Sequence, residues 1–159
     1  MRTGLGYDLH QLVENRKLIL GGIEVPYHLG LKGHSDADVV IHALIDALLG
    51  AAGFDDIGTH FPDNDPNFKD IDSMILLNKT MLLISEKGFA PTNADITIIA
   101  EQPKLKDYKP LIKHNLAEAL SLPPEAVAVK AKTNETMDSV GQSKAIVALA
   151  AVGLACTDE

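Results

Sequence analysis

The chain has 159 residues, of which 46% are hydrophobic and 23% are charged. This length and composition favour one compact soluble domain over a disordered chain, and we expect a single domain spanning residues 1–159. The formal net charge of −8 repels a polyphosphate backbone, which argues against nucleic acid as a partner. A phosphorylated small molecule is still compatible with this charge, because bound metal ions can supply positive charge locally.

The single cysteine, Cys156, excludes an internal disulfide. The N-terminal residues lack the basic start and the apolar stretch of a signal peptide. The longest apolar run, residues 145–156, is too short to span a bilayer. We therefore expect a cytoplasmic protein without membrane contact.

Hydrophobic periodicity divides the chain into strands and helices. Strands are predicted over residues 3–12, 17–27, 94–101, 126–133 and 145–156, and helices over residues 36–52, 72–87 and 108–120. We expect the first two strands to form an N-terminal hairpin or arm. Residues 55–69 are rich in Asp, Gly, Pro and Asn and predict an ordered, turn-rich loop. This order indicates an α/β sandwich, an α+β arrangement in which helices pack on one mixed β-sheet.

A pair of polar residues on the first strand is a candidate for metal binding. Asp8 and His10 stand two residues apart, so their side chains point to the same side of the sheet. In the first helix, Asp38, His42 and Asp46 recur at four-residue steps and form one polar face. A solvated helix face is the alternative interpretation, but the segment is otherwise apolar, and a buried polar side chain needs a partner.

Two imidazoles and one carboxylate suit zinc, or manganese or cobalt, and leave a fourth position open for a substrate oxygen. We therefore predict a metal site formed by Asp8, His10 and His42. Asp46, one helical turn beyond His42, is either an acceptor that orients a ligating imidazole or a simple surface acid.

Two segments near this site suit a phosphorylated polyol. His34, Ser35 and Asp36 precede the first helix, where Ser35 or Asp36 can cap it and His34 can face an anion. The turn-rich loop offers carboxylates and amides for hydroxyl groups. Its candidate residues are Asp56, Ile57, Gly58, Phe61, Pro62, Asp63, Asn64 and Asp65.

A third segment, Lys130-Ala131-Lys132-Thr133-Asn134-Glu135, ends a predicted strand with two cations, a hydroxyl and a carboxylate. Magnesium prefers one or two carboxylates plus phosphate oxygens. This segment can therefore hold a phosphate together with a magnesium ion.

Taken together, these segments resemble the 2-C-methyl-D-erythritol 2,4-cyclodiphosphate synthase family of the non-mevalonate isoprenoid pathway, over nearly the whole chain. The resemblance depends on the joint order and spacing of several motifs. They are Gly6-Tyr7-Asp8-Leu9-His10, His34-Ser35-Asp36, His42-Ala43-Leu44, Asp46-Ala47-Leu48-Leu49-Gly50-Ala51, Asp56-Ile57-Gly58, Phe61-Pro62-Asp63, Asp95-Ile96-Thr97-Ile98-Ile99-Ala100, Pro103-Lys104 and Val129-Lys130-Ala131.

The resemblance implies a metal-dependent phosphorus–oxygen lyase that works as a homotrimer, with active sites in clefts between subunits. Its substrate is the cytidine diphosphate compound 4-diphosphocytidyl-2-C-methyl-D-erythritol 2-phosphate. The 2-phosphate attacks the β-phosphorus of the same molecule and expels CMP, which leaves the 2,4-cyclodiphosphate. Such a phosphoryl transfer needs positioning and charge neutralisation rather than a covalent nucleophile.

The same resemblance assigns roles to residues. Zinc lies on Asp8, His10 and His42, magnesium on Glu135, and His34 and Thr133 steady the phosphates in the transition state. Residues 100–106 of a neighbouring subunit hold cytosine. The implied substrate-binding residues are Asp8, Leu9, His10, His34, Ser35, the eight loop residues from Asp56 to Asp65 named above, Ala100, Lys104, Lys106, Lys132, Thr133, Asn134 and Glu135.

Residues 138–144 depart from the family pattern, because Ser139 stands where an aromatic residue is usual and Gln142 where an arginine is usual. We hypothesise that Lys132 supplies a nearby positive charge instead. Two rival functions follow from the same residues. One is a phosphohydrolase that shares the metal site but admits water, and the other is a trimeric binding protein that keeps the metal but has lost turnover.

Overall fold

A computed structural model describes residues 1–157, so the last two residues of the predicted domain 1–159 lie outside the described part. It contains seven strands and five α-helices within that part. The strands are β1 (Arg2–Val13), β2 (Leu18–Leu20), β3 (Ile23–Val25), β4 (Gly30–Leu31), β5 (Phe89–Ile99), β6 (Val127–Lys132) and β7 (Ala145–Cys156). The helices are α1 (Val39–Ala52), α2 (Ile57–His60), α3 (Ser73–Glu86), α4 (Lys109–Ala119) and α5 (Asp138–Gly141).

Five of the strands form one mixed sheet in the order β4-β1-β7-β5-β6. The pair β5 and β6 is parallel, and the other neighbouring pairs are antiparallel. Helix α1 packs on β1 and β7, α3 packs beside α1, and α4 packs on β6. The predicted sandwich of helices on one mixed sheet is therefore confirmed.

The predicted strand over residues 17–27 is wrong as a single strand. It divides into β2 and β3, which pair antiparallel with Leu20 opposite Ile23. Gly21 and Gly22 form the two-residue turn, with φ of 60° and 76°. Glycine adopts these left-handed angles without a steric cost, and two such residues in sequence favour a tight hairpin. The hairpin is thus internal to this segment, while β1 pairs with β4 and β7.

The first helix begins later than predicted, because Asp38 rather than Ser35 or Asp36 is its N-cap. The Asp38 carboxylate accepts hydrogen bonds from the backbone N–H groups of Val40 and Ile41. Ala37 has a φ of 58°, which interrupts a helix at that point. Segment 33–37 is therefore an irregular connection that approaches the side chains of β1.

The remaining elements differ from the predictions mainly at their ends. The loop at residues 55–69 contains α2 and a short 3-10 turn, Pro66–Phe68. Strand β5 begins five residues earlier than expected, with a register shift between Pro91 and Asn93. Proline has no N–H for the ladder, and its presence obscured this part of the strand in the sequence.

The core between sheet and helices is aliphatic. Its largest fully buried side chains are all leucine or isoleucine, among them Leu44, Leu48 and Ile96. Within residues 1–157, the helices are too short or too polar to cross a membrane.

Candidate metal centre and substrate cleft

Strand β1 and helix α1 meet at very short range, and this contact places the predicted metal ligands. Even-numbered residues of β1 point toward α1. Gly4 and Gly6 leave the helix backbone room to approach, because any β carbon there would collide with it. Two and four residues further along the same face, Asp8 and His10 therefore point at the start of α1, where His42 lies.

The three predicted ligands form one cluster of partly buried side chains. Asp8 Oδ2 lies 2.8 Å from His10 Nε2 and 3.2 Å from His42 Nδ1. The two ring nitrogens are 3.1 Å apart. At zinc–ligand distances near 2.0–2.1 Å, tetrahedral ligand atoms lie roughly 3.3 Å from one another. The spacing of the three atoms therefore fits a small tetrahedral divalent ion that all three would share.

The hydrogen bonds of His10 determine which of its nitrogens is free. His10 Nδ1 lies 2.7 Å from the backbone carbonyl oxygen of Lys32. Because a carbonyl only accepts, Nδ1 carries the proton and donates it. Nε2, which faces Asp8 and His42, is then the nitrogen with a lone pair for a metal.

The charges at the cluster favour an ionised carboxylate. Burial opposes ionisation of Asp8, but the close contacts with the His10 and His42 rings outweigh it and hold the pKa of this carboxyl well below its usual range. Burial likewise disfavours the charged form of His10, yet the neighbouring Asp8 raises the pKa of the His10 ring. A divalent cation bound by the three side chains would be the positive partner of this carboxylate.

The cluster opens into a cleft of about 200 Å³. Its wall contains nine of the predicted site residues, namely Asp8, His10, His34, Ser35, His42, Ile57, Gly58, Phe61 and Asp63. It also contains Gly33, Phe68, Ile71 and Leu76, which the sequence did not indicate as site residues. Polar groups and apolar side chains thus both line the cleft beside the candidate metal position, as in sites that orient a small ligand.

The other loop residues hold the loop in shape. Asp56 caps α2, accepting from the Thr59 N–H at 2.9 Å and from its hydroxyl at 3.0 Å. Asp65 accepts from Asn67, and its backbone carbonyl lies 3.3 Å from His34 Nε2. Pro62 and Asn64 are outside the cleft wall, on the partly or fully exposed part of the loop.

Asp46 does not orient an imidazole. Its Oδ1 accepts the backbone N–H of Ile57 at 2.8 Å. Asp46 therefore joins the helix that carries His42 to the loop that carries Ile57 and Gly58. Asp38 does not bind a side chain of the metal cluster either. Its carboxylate accepts hydrogen bonds from backbone N–H groups of the hairpin turn and of α1.

Leu9 lies on the opposite face of β1 from Asp8 and His10. Its side chain is 42% exposed on the outer face of the sheet, together with Leu5 and Tyr7, which are 71% and 57% exposed. Leu9 reaches the metal cluster through its backbone, since its N–H donates to Asp8 Oδ1 at 2.9 Å.

The predicted cytosine and phosphate residues form a second pocket. A concavity of about 190 Å³ is lined by Ala100, Pro103, Lys104, Leu105, Lys106, Lys109, Ala131, Lys132 and Thr133. Four lysines make this pocket cationic in a chain that is acidic as a whole. Beside it, the Thr133 hydroxyl donates to Glu135 Oε1 at 2.9 Å, and the Asn134 N–H donates to Glu101 Oε2 at 3.1 Å.

The two pockets are on the same end of the sheet but not on neighbouring strands. Leu9, Val147, Ile99 and Lys132 form one row across β1, β7, β5 and β6. With neighbouring strands about 4.8 Å apart, Leu9 and Lys132 are separated by roughly 14 Å. Within one chain, the metal cluster and the lysine pocket are therefore distinct sites.

The fold and the cluster together define a class of α/β sandwich proteins in which a sheet strand and the helix above it hold a candidate metal site at the mouth of a cleft. The particular family follows from comparison with known sequences. This chain belongs to the YgbB family, whose model matches residues 1–155.

Several relatives of this chain share one name. This chain is 58% identical over 146 residues, 92% of each chain, to the 2-C-methyl-D-erythritol 2,4-cyclodiphosphate synthase of Brachyspira hyodysenteriae. It is 53% identical over 152 residues to the protein of the same name from a Synechococcus strain, covering 96% of this chain and 97% of that one. Among solved structures, the CDP complex of IspF from Plasmodium falciparum superposes with a TM-score of 0.85 at 35% identity, over 99% of this chain and 97% of that one.

Proposed function

We propose that this chain is a 2-C-methyl-D-erythritol 2,4-cyclodiphosphate synthase, an enzyme of the non-mevalonate isoprenoid pathway. It converts 4-diphosphocytidyl-2-C-methyl-D-erythritol 2-phosphate to the 2,4-cyclodiphosphate and CMP. The observation that carries this proposal is the convergence of Asp8, His10 and His42 within 3.2 Å of one another at a cleft. That arrangement occurs in a chain 58% identical to a relative with this name.

The donor set indicates which ion the site would hold. Two neutral imidazole nitrogens and one carboxylate oxygen suit zinc, and manganese or cobalt accept the same ligands. Zinc bound there, with magnesium on the substrate diphosphate, would neutralise phosphate charge and polarise the phosphorus–oxygen bonds. Three protein ligands leave a position for a phosphate oxygen.

The residues of the cleft position the reacting phosphate. His34 and Ser35 line the wall beside the metal cluster, where the Ser35 hydroxyl and, once protonated, the second ring nitrogen of His34 would donate to phosphate oxygens. The loops that contain Ile57, Gly58 and Asp63 bind the hydroxyl groups of the erythritol part. Both phosphates belong to one molecule, so holding them in line makes the attack intramolecular. A new bond forms between an oxygen of the 2-phosphate and the β-phosphorus, and the bond from that phosphorus to the CMP oxygen breaks.

The lysine pocket binds the leaving part of the substrate. Residues 100–106 take the cytosine base, and Lys104, Lys106 and Lys132 face the negative charge that gathers on CMP. Thr133 steadies the phosphates, and Glu135 provides the carboxylate for magnesium. The structure supports this division because Thr133 lines the pocket and hydrogen-bonds Glu135 directly.

A complete active site then requires more than one subunit. The metal cluster and the lysine pocket of one chain are separate, and the exposed apolar side chains of Leu5, Tyr7 and Leu9 lie on the outer face of β1, the strand that carries Asp8 and His10. A homotrimer that packs these faces together would cover the apolar side chains and bring the lysine pocket of one subunit to the cleft of the next. We propose this trimer, acting in the cytoplasm, with each chain as a single catalytic domain.

Product analysis tests the proposal against both rival functions. The purified protein is incubated with the cytidine substrate, zinc and magnesium, and the products are identified by mass spectrometry. Equal amounts of CMP and the cyclic diphosphate are expected. A linear phosphate product would instead indicate the phosphohydrolase, and substrate binding without CMP release would indicate the binding protein.

A further inference from the structure

The nitrogen of His42 that faces away from the metal cluster has hydroxyl partners on two segments. His42 Nε2 lies 3.0 Å from Ser73 Oγ and 3.2 Å from Ser35 Oγ. Ser73 is the first residue of α3, and its side chain is fully buried. A buried hydroxyl at this distance from a candidate metal ligand can control the orientation of the ring.

Asp36 holds Ser73 by two groups. The Ser73 hydroxyl donates to Asp36 Oδ1, and the Ser73 backbone N–H donates to Asp36 Oδ2 at 3.0 Å. Asp36 Oδ1 also accepts the backbone N–H of Asp38 at 3.2 Å. The carboxylate of Asp36 is thus surrounded by donors and acts as an acceptor.

These contacts determine the direction of the hydrogen bond to His42. A serine hydroxyl has one proton, and the Ser73 proton is directed at Asp36. The Ser73 oxygen therefore offers a lone pair to His42, and His42 Nε2 must carry the proton between them. In the neutral ring, this leaves His42 Nδ1 without a proton, and Nδ1 is the atom that lies 3.1–3.2 Å from the other two candidate ligands.

We propose that Ser73 and Asp36 are positioning residues for the metal site, acting through His42. The chain Asp36–Ser73–His42 selects the ring tautomer with Nδ1 free and fixes the plane of the ring, as the Lys32 carbonyl does for His10. The inference rests on the proposed metal role of His42 and goes beyond it, because neither residue is within the metal cluster itself. The hydrogen bond between Ser73 and His42 also joins α3 to α1 at the metal site.

Ser35 alone would not produce the same selection. Its hydroxyl oxygen accepts the backbone N–H of Ala37 at 3.1 Å, and its own proton is not committed to a carboxylate. Ser35 can therefore donate to or accept from the imidazole. The two serines differ because only the Ser73 hydroxyl donates its proton to a carboxylate, that of Asp36.

The test uses Ser73→Ala with Thr80→Val as its matched control. Thr80 lies on the same helix, is equally buried, and donates its hydroxyl to the Leu76 carbonyl at 3.0 Å, remote from the metal cluster. Zinc affinity is measured by competition with a chromophoric chelator. We expect Ser73→Ala to weaken zinc binding by about 10- to 100-fold, and Thr80→Val to match the wild type.

A second measurement reads the tautomer directly in the metal-free protein. Long-range proton–nitrogen correlation spectra of wild-type protein with labelled histidine should show the neutral His42 ring protonated at Nε2. In Ser73→Ala, the proton should move in part to Nδ1, where Asp8 can accept it. This readout depends on hydrogen bonding at the ring and would not respond to a general loss of stability.

The results separate this inference from the proposed function. A folded Ser73→Ala protein with wild-type zinc affinity, or a wild-type His42 ring protonated at Nδ1, would overturn the positioning role. The second result remains accessible if Ser73→Ala does not fold. If the wild-type protein bound zinc no better than His42→Ala, the metal site would fail instead, while the tautomer would still decide the role of Ser73.

Discussion

Gly6 of β1 packs directly beneath the backbone of Ala43 in α1, so closely that a β carbon at position 6 would overlap the Ala43 carbonyl oxygen. Ala43 follows His42, and Gly6 precedes Asp8 by two residues on the same face of the strand. The distance between this strand and this helix therefore sets the distance between the candidate metal ligands. A contact in the core thus controls the geometry of the site.

Replacing Gly6 by alanine should separate the helix from the strand. The nearest atoms are backbone atoms, which cannot rotate away, so α1 must shift. We expect Gly6→Ala to lower the free energy of unfolding by about 1–3 kcal/mol or more, as in other overpacked cores, and to weaken zinc binding in the protein that still folds. Urea unfolding and chelator competition measure the two effects.

Gly50→Ala is the matched control for this substitution. Gly50 lies on α1 as well, and an added β carbon there would meet no atom within 4 Å. Alanine in a helix is more stable than glycine by roughly 0.5–1 kcal/mol, so this variant should be as stable as the wild type or more so. Equal effects of the two substitutions would show that the close contact at Gly6 has no special role.

The bond between Asp46 and the Ile57 N–H predicts how the loop is held to the helix. Asp46→Ala leaves this N–H, at the start of α2, without its acceptor at 2.8 Å. One such hydrogen bond contributes about 1 kcal/mol, so we expect KM for the cytidine substrate to rise by up to about fivefold, with a smaller change in kcat. Asp46→Asn keeps an acceptor oxygen and should restore most of the loss, whereas equal defects in both variants would argue for a role of the charge.

Asp38 gives the fold an unusual pH dependence. Its carboxyl is fully buried, and burial raises its pKa from 3.8 to about 6, although hydrogen bonds from Gly22 and Gly21 oppose the rise. Between these two values, the folded protein keeps a proton that the unfolded chain has released. The contribution of Asp38 to the free energy of unfolding is therefore largest in acid and falls as pH rises through this window.

Comparison with Asp38→Asn isolates this contribution, because the other carboxyl groups are common to both proteins. The free energy of unfolding of the wild type minus that of the variant should fall by up to roughly 3 kcal/mol between about pH 4 and about pH 7. Urea unfolding at several pH values measures it. The exposed Asp138 serves as a control. A backbone hydrogen bond from Val140 lowers its pKa, so its contribution to the free energy of unfolding should rise with pH instead of falling. If the difference in free energy of unfolding between the wild type and Asp38→Asn did not change with pH, the raised pKa of Asp38 would be contradicted.

The parts of the fold that were predictable from the sequence are those with a strong local signal. The apolar repeat that ends at Gly53 indicated α1 to within three residues, and the spacing of Asp8 and His10 indicated a shared face of β1. The turn at Gly21-Gly22 was misread because alternation on both sides of two glycines looks like one strand when their positive φ angles are unknown. Helix α1 starts at Val39 because Asp38 accepts the first free N–H groups, whereas the sequence pattern had indicated Ser35 or Asp36 as the cap.

The candidate site was predictable only where one motif carried its own chemistry. Asp8, His10 and His42 have side chains that indicate metal binding wherever they meet. Ser73 gave no such signal, because a serine after an aspartate at a helix start looks like part of the cap. Its role depends on the approach of α3 to α1, which is a tertiary contact between residues 31 positions apart. Asp46 was placed on the correct face of α1, but its partner on the loop could not be read from helical spacing.

The metal content of His42→Ala tests the central claim most directly. Zinc bound per chain is measured by elemental analysis in the wild type, in His42→Ala and in His28→Ala, which removes an exposed histidine outside the cleft wall. We predict that His42→Ala loses one metal equivalent per chain and nearly all CMP release while keeping its fold and assembly, and that His28→Ala matches the wild type. An unchanged metal content in His42→Ala would contradict the assignment of the site to Asp8, His10 and His42.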